Sequence, residues 1–410
     1  MLILVLNSGS SSLKYKLLQM PEERLLHSGR IEKIGESGRT SFSQTNFKAP
    51  PITKPIDGPS HEKALEVVFA ALIHPDGGCL KSLEEIGAVG HRIVHGRDLF
   101  TEPLIITPES LARMKGLIDL APLHLPANLA CIEAASHRLP SVPQIAHFDT
   151  AFFRHLPESV YLYPLPLEWH EHYGVRRYGF HGISYDYVTR EAEKLLEKPL
   201  EAIKLIAMHL GNGASMMACQ SGQPVETSMG FTPLEGLMMG TRPGTIDAAI
   251  IPFIMAKTGA SLEEIMHILN YESGLAAISG IGRDLRPILE ARGQGTIRAE
   301  LAFQMFVHSL RKYLGSYFFV LKGLEVIIFT GGIGENAPEV RAAVLEGLES
   351  LGMEIDGDKN AAVINGKTGF INTTNSPVKI LVIPTDEEII IARSAYQLTT
   401  NRLSGHGVLS

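Results

Sequence analysis

The chain is poor in cysteine, in long apolar runs and in net positive charge, and each shortage removes a class of function. Its three cysteines, Cys79, Cys131 and Cys219, stand far apart with no CxxC pair. Neither a disulfide framework nor a zinc cluster is indicated, and a reducing cytoplasm fits best. No segment reaches the roughly 18 uninterrupted apolar residues of a membrane span. The opening MLILVLNSGSSS is apolar only from Met1 to Leu6 and has no basic leader, so it reads as a buried strand and not as a signal. Lys and Arg total 37 against 44 Asp and Glu, a formal net charge of −7. No global basic field therefore exists to hold nucleic acid or an anionic membrane. What is present is a chain of 410 residues, 45% hydrophobic and 20% charged, the composition of a globular enzyme with two or three domains. Overall acidity still permits a few cations to converge on a small polyanion.

Hydrophobic patterning gives the organisation. Met1 to Leu6 is a continuous apolar run, Asn7 to Ser12 a Ser/Gly turn, and Leu13 to Leu18 a second run, which together predict a β-hairpin with a polar tip. Leu205 to Cys219 repeats that layout around Gly211-Asn212-Gly213, with His209-x-Gly211 matching Asn7-x-Gly9. Two such units suggest a duplicated architecture. Helices are expected over His61 to Ile73, Pro126 to His137 and Leu301 to Leu321. After the last come a strand from Glu325 to Thr330, a loop Gly331 to Gly334, a helix from Pro338 to Leu351, a strand from Lys379 to Ile383 and a final helix. Strands and helices alternate, so the class is α/β. No low-complexity linker separates the halves, and the duplication sets a boundary near Asp149.

Three motifs tempt and fail. Gly366-Lys367-Thr368 ends like a P-loop, but Ala361 occupies the position of the first glycine, and Ala361 to Ile364 reads as a strand. Gly332 to Ala337 satisfies G-x-G-x-x-A, with Asp356 about 20 positions on as a ribose contact in a Rossmann reading. That reading would leave the two hairpins and the cationic segments unexplained, although the glycines still argue for close approach of backbone to a nucleotide. His170-Glu171-His172 has the wrong spacing for a helical zinc protease and reads as a solvated turn.

Four segments set Arg or His beside Gly or Pro in apolar surroundings: Gly90 to Gly96, Ala121 to His124, Tyr178 to Gly182 and Gly240 to Gly244. If they converge, Arg92, Arg242, His124 and His181 make a compact site for a multiply charged anion, with the arginines offering planar bidentate donors. Phosphoryl transfer needs such a site, because its catalysis is mostly positioning and charge neutralisation.

With these segments in view, the sequence resembles the acetate/propionate/butyrate kinase family, within the superfamily of acetate and sugar kinases, heat-shock ATPases and actin. The resemblance rests on NSGSSSLK at Asn7, GHRIVHG at Gly90, APLH at Ala121, FDTAF at Phe148, YGFHG at Tyr178, HLGNGAS at His209, TSMGFTPLEGLMMGTR at Thr227, FTGGIGEN at Phe329 and TDEE at Thr385. These run in family order along nearly the whole chain.

The resemblance implies two duplicated actin-like (ribonuclease H-like) domains with an interdomain cleft. The first would span 1–150, completed by a C-terminal helix at 386–410, and a nucleotide-binding domain would span 151–385. It implies Mg²⁺-dependent, reversible transfer of the ATP γ-phosphate to acetate, with Mn²⁺ as an alternative metal, in a cytoplasmic homodimer. Asn7 and Glu387 would then hold the metal. Ser10, Ser12 and Lys14 would face the phosphates, as would His209, Leu210, Gly211, Asn212 and Gly213. Asp284, Leu285 and Arg286 would contact adenosine, and Gly332, Ile333, Gly334, Glu335 and Asn336 would flank the nucleotide. Arg92 matches the contact to the substrate carboxylate, and His124 lies among the substrate-binding positions. His181 and Arg242 match the residues that stabilise the transferring phosphoryl group. Val94, Leu123, Phe180 and Pro233 match the small apolar wall of the acetate pocket. Asp149 matches a position described as proton donor or acceptor. Acetate is already an anion at neutral pH and needs no base, so Asp149 is expected to fix an arginine through paired hydrogen bonds. Departures from the family strings fall at Leu125, Phe153, Tyr185, Pro243 and Thr245. A propionate or butyrate kinase and a non-catalytic nucleotide-binding protein are the alternative readings.

Overall fold

The computed structural model describes residues 1–9, 11–35, 40–46, 49–55, 60–75 and 77–403. Strands β1 (Leu2–Ser8), β2 (Ser12–Gln19), β3 (Arg24–Glu32), β4 (Ser41–Asn46), β5 (Ala49–Pro55), β6 (Ile86–Ile93), β7 (Leu104–Ile105) and β8 (Gln144–Phe148) make one sheet, in the spatial order β5-β4-β3-β2-β1-β6-β8-β7. Strands β9 (Lys204–Leu210), β10 (Ala214–Gln220), β11 (Gln223–Thr227), β12 (Val326–Thr330), β13 (Gly369–Phe370) and β14 (Lys379–Val382) make a second, in the order β11-β10-β9-β12-β14-β13. With β4 and β5 set aside, the two plans agree strand for strand. Each opens with an antiparallel meander of three. Each then adds two parallel strands reached by crossovers and closes with a short antiparallel edge strand. The duplication suggested by the two hairpins is thus present in the topology. Contacts divide the chain into two units, Met1–Arg154 with Asp386–Ser410, and His155–Thr385.

β1 and β9 are central in their sheets, and both are buried along almost their whole length, as near-continuous apolar strands must be when both faces are covered. In the first unit Leu4 and Leu6 share a core with Leu65 and Val68 of the helix His61–Leu72 and Cys131 of the helix Leu125–Arg138. The helix Glu387–Leu403 lies against β6 where Gly90 leaves room, since a Cβ there would meet Ile391 Cγ2 at 2.5 Å. Burial pushes the Cys131 and Cys219 thiols up to about 12, which makes them inert filling. Among the described residues no helix is long and apolar enough to cross a membrane.

Several local expectations need correction. The Gly331 to Gly334 loop is the start of a short helix, Gly331–Asn336. The strand expected over Ala361 to Ile364 is instead the end of a helix, Gly357–Ala362. Asp356, read as a possible ribose contact, caps that helix by accepting from Lys359 N at 3.1 Å, and the cap outweighs the short apolar run. Lys367, from the P-loop decoy, donates to Ala362 O at 3.2 Å. His170 and His172 belong to a helix, Leu167–Tyr173, bracketed by Pro166 and a left-handed Gly174. The helix from Pro338 ends at Leu345, followed by a separate turn at Glu349–Leu351.

Candidate active site

The functional side chains of the first unit gather at the carboxyl ends of its central strands, where open α/β sheets bind ligands. β1 pairs with β6 so that Leu6 faces His91, and β6 pairs with β8 so that Arg92 faces His147. Register therefore brings Asn7, Arg92 and Asp149 side by side. Arg92 Nε and Nη2 donate to Asp149 Oδ1 and Oδ2 at 3.2 and 2.6 Å, and Nη1 donates to Asn7 Oδ1 at 3.2 Å. Glu387 Oε2 lies 3.5 Å from Arg92 Nε and accepts from Asn7 Nδ2 at 3.1 Å. Burial opposes the Arg92 charge, but Asp149 and Glu387 more than offset it, so Arg92 is held more firmly protonated than a free guanidinium. Ser12 is half-buried and Lys14 exposed. Lys16, two residues along the same strand, joins the carboxylates instead, 2.7 Å from Asp386 and 3.4 Å from Glu388. Ser10 lies outside the described residues. His124 stands at the start of the helix Leu125–Arg138; Leu123 is exposed and Val94 buried.

In the second unit the β9–β10 tip organises a different set. His181 precedes the helix Gly182–Leu196 with φ at +59°, in the left-handed region that non-glycine residues seldom occupy. Its ring stacks on that of His209, with centroids 4.1 Å apart. Its Nδ1 lies 2.8 Å from Ser215 Oγ, and Ser215 lies 2.6 Å from Tyr185 OH. His209 Nδ1 is 2.8 Å from Ser184 Oγ. A Cβ on Gly213 would sit 3.6 Å from His181 Nε2 and 4.0 Å from Arg242 Nη1, so an imidazole and a guanidinium converge on the hairpin tip.

The Arg242 loop is stitched to that tip. Gly240 N donates to Asn212 O at 3.0 Å, and a Cβ on Gly240 would meet Asn212 Oδ1 at 2.2 Å. From the other side Ser273, Leu275 and Ala276 amides donate to Thr241, Met239 and Gly240 carbonyls. Arg242 Nη1 donates to Pro233 O at 3.2 Å, and among the described residues Arg242 has no carboxylate partner. Burial pulls it below the usual guanidinium value, and Tyr271 opposes that shift without cancelling it. Phe180 is fully buried beside these groups in sequence.

A cavity of about 690 Å³ opens next to the tip, lined by Gly211 and Asn212, by Asp284, Leu285 and Arg286, and by Gly332, Ile333 and Asn336. Residues expected separately at phosphate, adenosine and flanking positions thus share one pocket. The helix that carries Gly332, Ile333 and Asn336 is tied down by Arg341, completely buried, which donates to the Gly334, Glu335, Asn360 and Val363 carbonyls. Desolvation pushes this guanidinium down to about 10. The carbonyl ends of two short helices, not a carboxylate, hold its charge. Glu335 Oε1 accepts from Thr385 N at 3.2 Å.

Sequence reasoning overlooked Arg341, Ser215 and Lys16. It also overlooked the Arg177–Glu235 ion pair at 3.0 Å, which with Tyr163 supports the segment before Arg242. Arg177 adjoins YGFHG and Ser215 closes HLGNGAS, so one stood beside and the other within a motif already in view. Arg341 carried no local signal.

The sequence matches the model of the Acetokinase family over residues 2–393. It is 47% identical over 397 residues to the acetate kinase of Bacillus cytotoxicus, covering 97% of this chain and 98% of that one. To the acetate kinase of Desulfitobacterium hafniense it is 48% identical over 393 residues, covering 96% and 98%. The crystal structure of Porphyromonas gingivalis acetate kinase matches with a TM-score of 0.90 at 42% identity, covering 97% of this chain and 99% of that one. A propionate kinase from Francisella tularensis matches at 0.90 and 38%, with the same coverage. The duplicated sheets are accordingly the two domains of the actin-like α/β fold that the motifs implied. Across nearly its entire length the chain belongs to the acetokinase family and is a kinase of the phosphotransferase class.

Proposed function

We propose that the chain transfers the γ-phosphoryl group of ATP to acetate, reversibly, giving acetyl phosphate and ADP. The observation that carries this reading is the convergence of His181 Nε2 and Arg242 Nη1 at Gly213, on the hairpin tip that also lines the 690 Å³ cavity. Two fixed donors beside a glycine-lined pocket suit the equatorial oxygens of a phosphoryl group in flight. An acetate oxygen attacks phosphorus directly, in line with the leaving ADP oxygen, and no proton transfer is required.

In this reading ATP lies along Gly211 to Gly213, Asp284 to Arg286 and Gly332 to Asn336, with His209 and Leu210 behind the tip. Ser12 and Lys14 serve the phosphates. Arg92 takes the acetate carboxylate, and Asp149, Asn7 and Glu387 hold the Arg92 fork in one plane. His124 completes the substrate contacts. Val94, Leu123, Phe180 and Pro233 form the wall that limits chain length. One methylene is worth only about 1–3 kcal/mol at such a wall, so propionate should be turned over too.

Mg²⁺ suits the donors at Asn7 and Glu387. The carboxamide and carboxylate lie within hydrogen-bond distance of each other, with Glu388 3.3 Å from Asn7 Nδ2. Such a sparse set of hard oxygens leaves room for the waters and phosphates that Mg²⁺ retains. When bound, it would neutralise phosphate charge. A cytoplasmic homodimer is part of the proposal. Ile250, Phe253, Ile297 and Phe319 of the second unit are exposed, the last two by 84% and 80%, and are side chains such a dimer would cover.

The test is a hydroxamate assay with ATP, Mg²⁺ and acetate, propionate or butyrate, on protein whose mass is followed by light scattering. Acetyl hydroxamate with acetate favoured, from a dimer, is the expected result. A propionate preference, in line with the propionate kinase among the structural relatives, would replace the substrate. No acyl phosphate from any acid would refute the kinase reading, and a monomer the dimer.

A further inference from the structure

Resting on the kinase reading, we infer that Tyr185 is a positioning residue that, through Ser215, fixes His181 in the tautomer with its proton on Nε2. Three bonds set the direction. Ser215 is fully buried, and its hydroxyl lies between His181 Nδ1 at 2.8 Å and Tyr185 OH at 2.6 Å. The Tyr185 oxygen already receives a hydrogen bond from the His209 backbone. Tyr185 is itself fully buried, which pushes its phenol far above the range in which it could lose its proton. Its own O–H therefore points at Ser215 Oγ. With Tyr185 donating to Ser215 Oγ, the buried Ser215 proton finds its acceptor among the described residues in His181 Nδ1. A neutral imidazole that accepts at Nδ1 carries its hydrogen on Nε2. Nε2 is the atom that faces Gly213 beside Arg242.

The consequence is chemical. In the opposite tautomer Nε2 would present a lone pair to phosphoryl oxygens, which are themselves acceptors, and would repel the group that Arg242 attracts. The relay removes that option before substrate arrives, which is preorganisation by a second layer of hydrogen bonds. The family string places a histidine where this chain has Tyr185. An imidazole there titrates near neutral pH, whereas a buried phenol does not, so this version of the relay keeps its direction across the working range. The stack of His181 on His209 fixes the ring plane. Tyr185 fixes where the proton sits within it.

The experiment is long-range ¹H–¹⁵N correlation of the histidine rings in ¹⁵N-labelled protein, with the His181 signals assigned by their loss in His181→Gln. Wild type should show Nδ1 in the unprotonated region and Nε2 in the protonated one. Tyr185→Phe, which keeps the ring packing, should shift both nitrogens toward the Nδ1–H form. It should lower kcat for hydroxamate formation about 10- to 100-fold while leaving the KM values for acetate and ATP within about 2-fold. Ser215→Ala should do the same, and the double variant should be no slower than Ser215→Ala alone, since Tyr185 acts only through that hydroxyl. A protonated Nδ1 in wild type, or unchanged ring shifts in Tyr185→Phe, would overturn the inference without any activity measurement. An Nε2–H signal that responds to Tyr185→Phe in a protein silent toward every acid would support the relay and count against the kinase reading only.

Discussion

The two units build the same six-strand order and then load it with opposite chemistry. At the end of β1 stands Asn7, cross-strand from Lys14; at the end of β9 stands His209, cross-strand from Ser215. The neighbouring parallel strand carries Arg92 beside Asn7 in the first unit and Thr330 beside His209 in the second. The first unit is thus a network of charges that satisfy one another: Arg92 with Asp149 and Glu387, Lys16 with Asp386 and Glu388. In the second, His181 and His209 bond to hydroxyls, and its two key arginines, Arg242 and Arg341, bond to carbonyls. A cation already paired is held in place, while a cation without a carboxylate keeps its charge for an incoming anion. The topology supplies two equivalent rims, and in the proposed reaction pairing would decide which one orients a carboxylate and which one receives a phosphoryl group.

The sharpest way to break this comparison is Arg242→Ala. Removing a donor aimed at developing charge should cost roughly 10³-fold in kcat. Stability should hardly change, because no carboxylate is left behind and the desolvated charge is lost with the side chain. Hydroxamate kinetics and a thermal melt on the same preparation check both halves. A melt lowered as far as that of a first-unit charge variant would show that Arg242 is structural after all.

Asp149→Asn is the matching test of the first unit. Asp149 is 1% exposed and Arg92 19%, so the change strips a nearly buried cation of its main partner and leaves it the Glu387 carboxylate at 3.5 Å and the neutral Asn7 Oδ1 at 3.2 Å. Stability should fall by about 3 kcal/mol, and the KM for acetate should rise about 10-fold as the Arg92 fork loses its second anchor. The acidic limb of the pH–rate profile should persist. Its disappearance would mean that Asp149 moves a proton, and the orienting role would be abandoned.

What could be read from the sequence and what could not follow the same division. The hairpins, the long helix ending at Leu321 and the last helix are periodic segments bounded by Gly or polar turns, so hydrophobic patterning was enough to find them. The failures were short elements whose state is decided by one cap or one distant contact. Gly357–Ala362 is a helix because Asp356 caps it and Arg341 ties down Asn360 O and Val363 O, at 2.6 and 3.0 Å. Likewise, Arg92 and Asp149 lie 57 positions apart, and only strand register makes them a bidentate pair. Residue type announced the cations, and the motifs located them. Their partners, which determine what each cation can do, came only from the fold.

The smallest expected effect separates the units by pH. The four buried histidines among the described residues, His27, His91, His95 and His147, all belong to the first unit. Desolvation pulls His91 down from 6.5 to about 4 although Gln144 accepts its Nε2–H at 2.8 Å, and it lowers His27 as well. Because the folded value lies below the unfolded one, the unfolded chain binds the extra proton between about pH 6.5 and 4. The His91 contribution is therefore complete above that window and is lost as pH falls through it, by roughly 1 kcal/mol at pH 5.5. Hydrogen exchange corrected for intrinsic rate should show β1, β6 and β8 losing protection between pH 7 and 5.5 while β9 and β12 keep theirs. Fluorescence of Trp169, the chain's one tryptophan and part of the second unit, should hold steady over the same range. His91→Gln, which stays neutral and can still donate to Gln144, should flatten the response of β6. Equal loss in β9 would show that acid acts on both units alike, and the contrast between a rim of paired charges and a rim of unpaired ones would then hold for their chemistry but not for their stability.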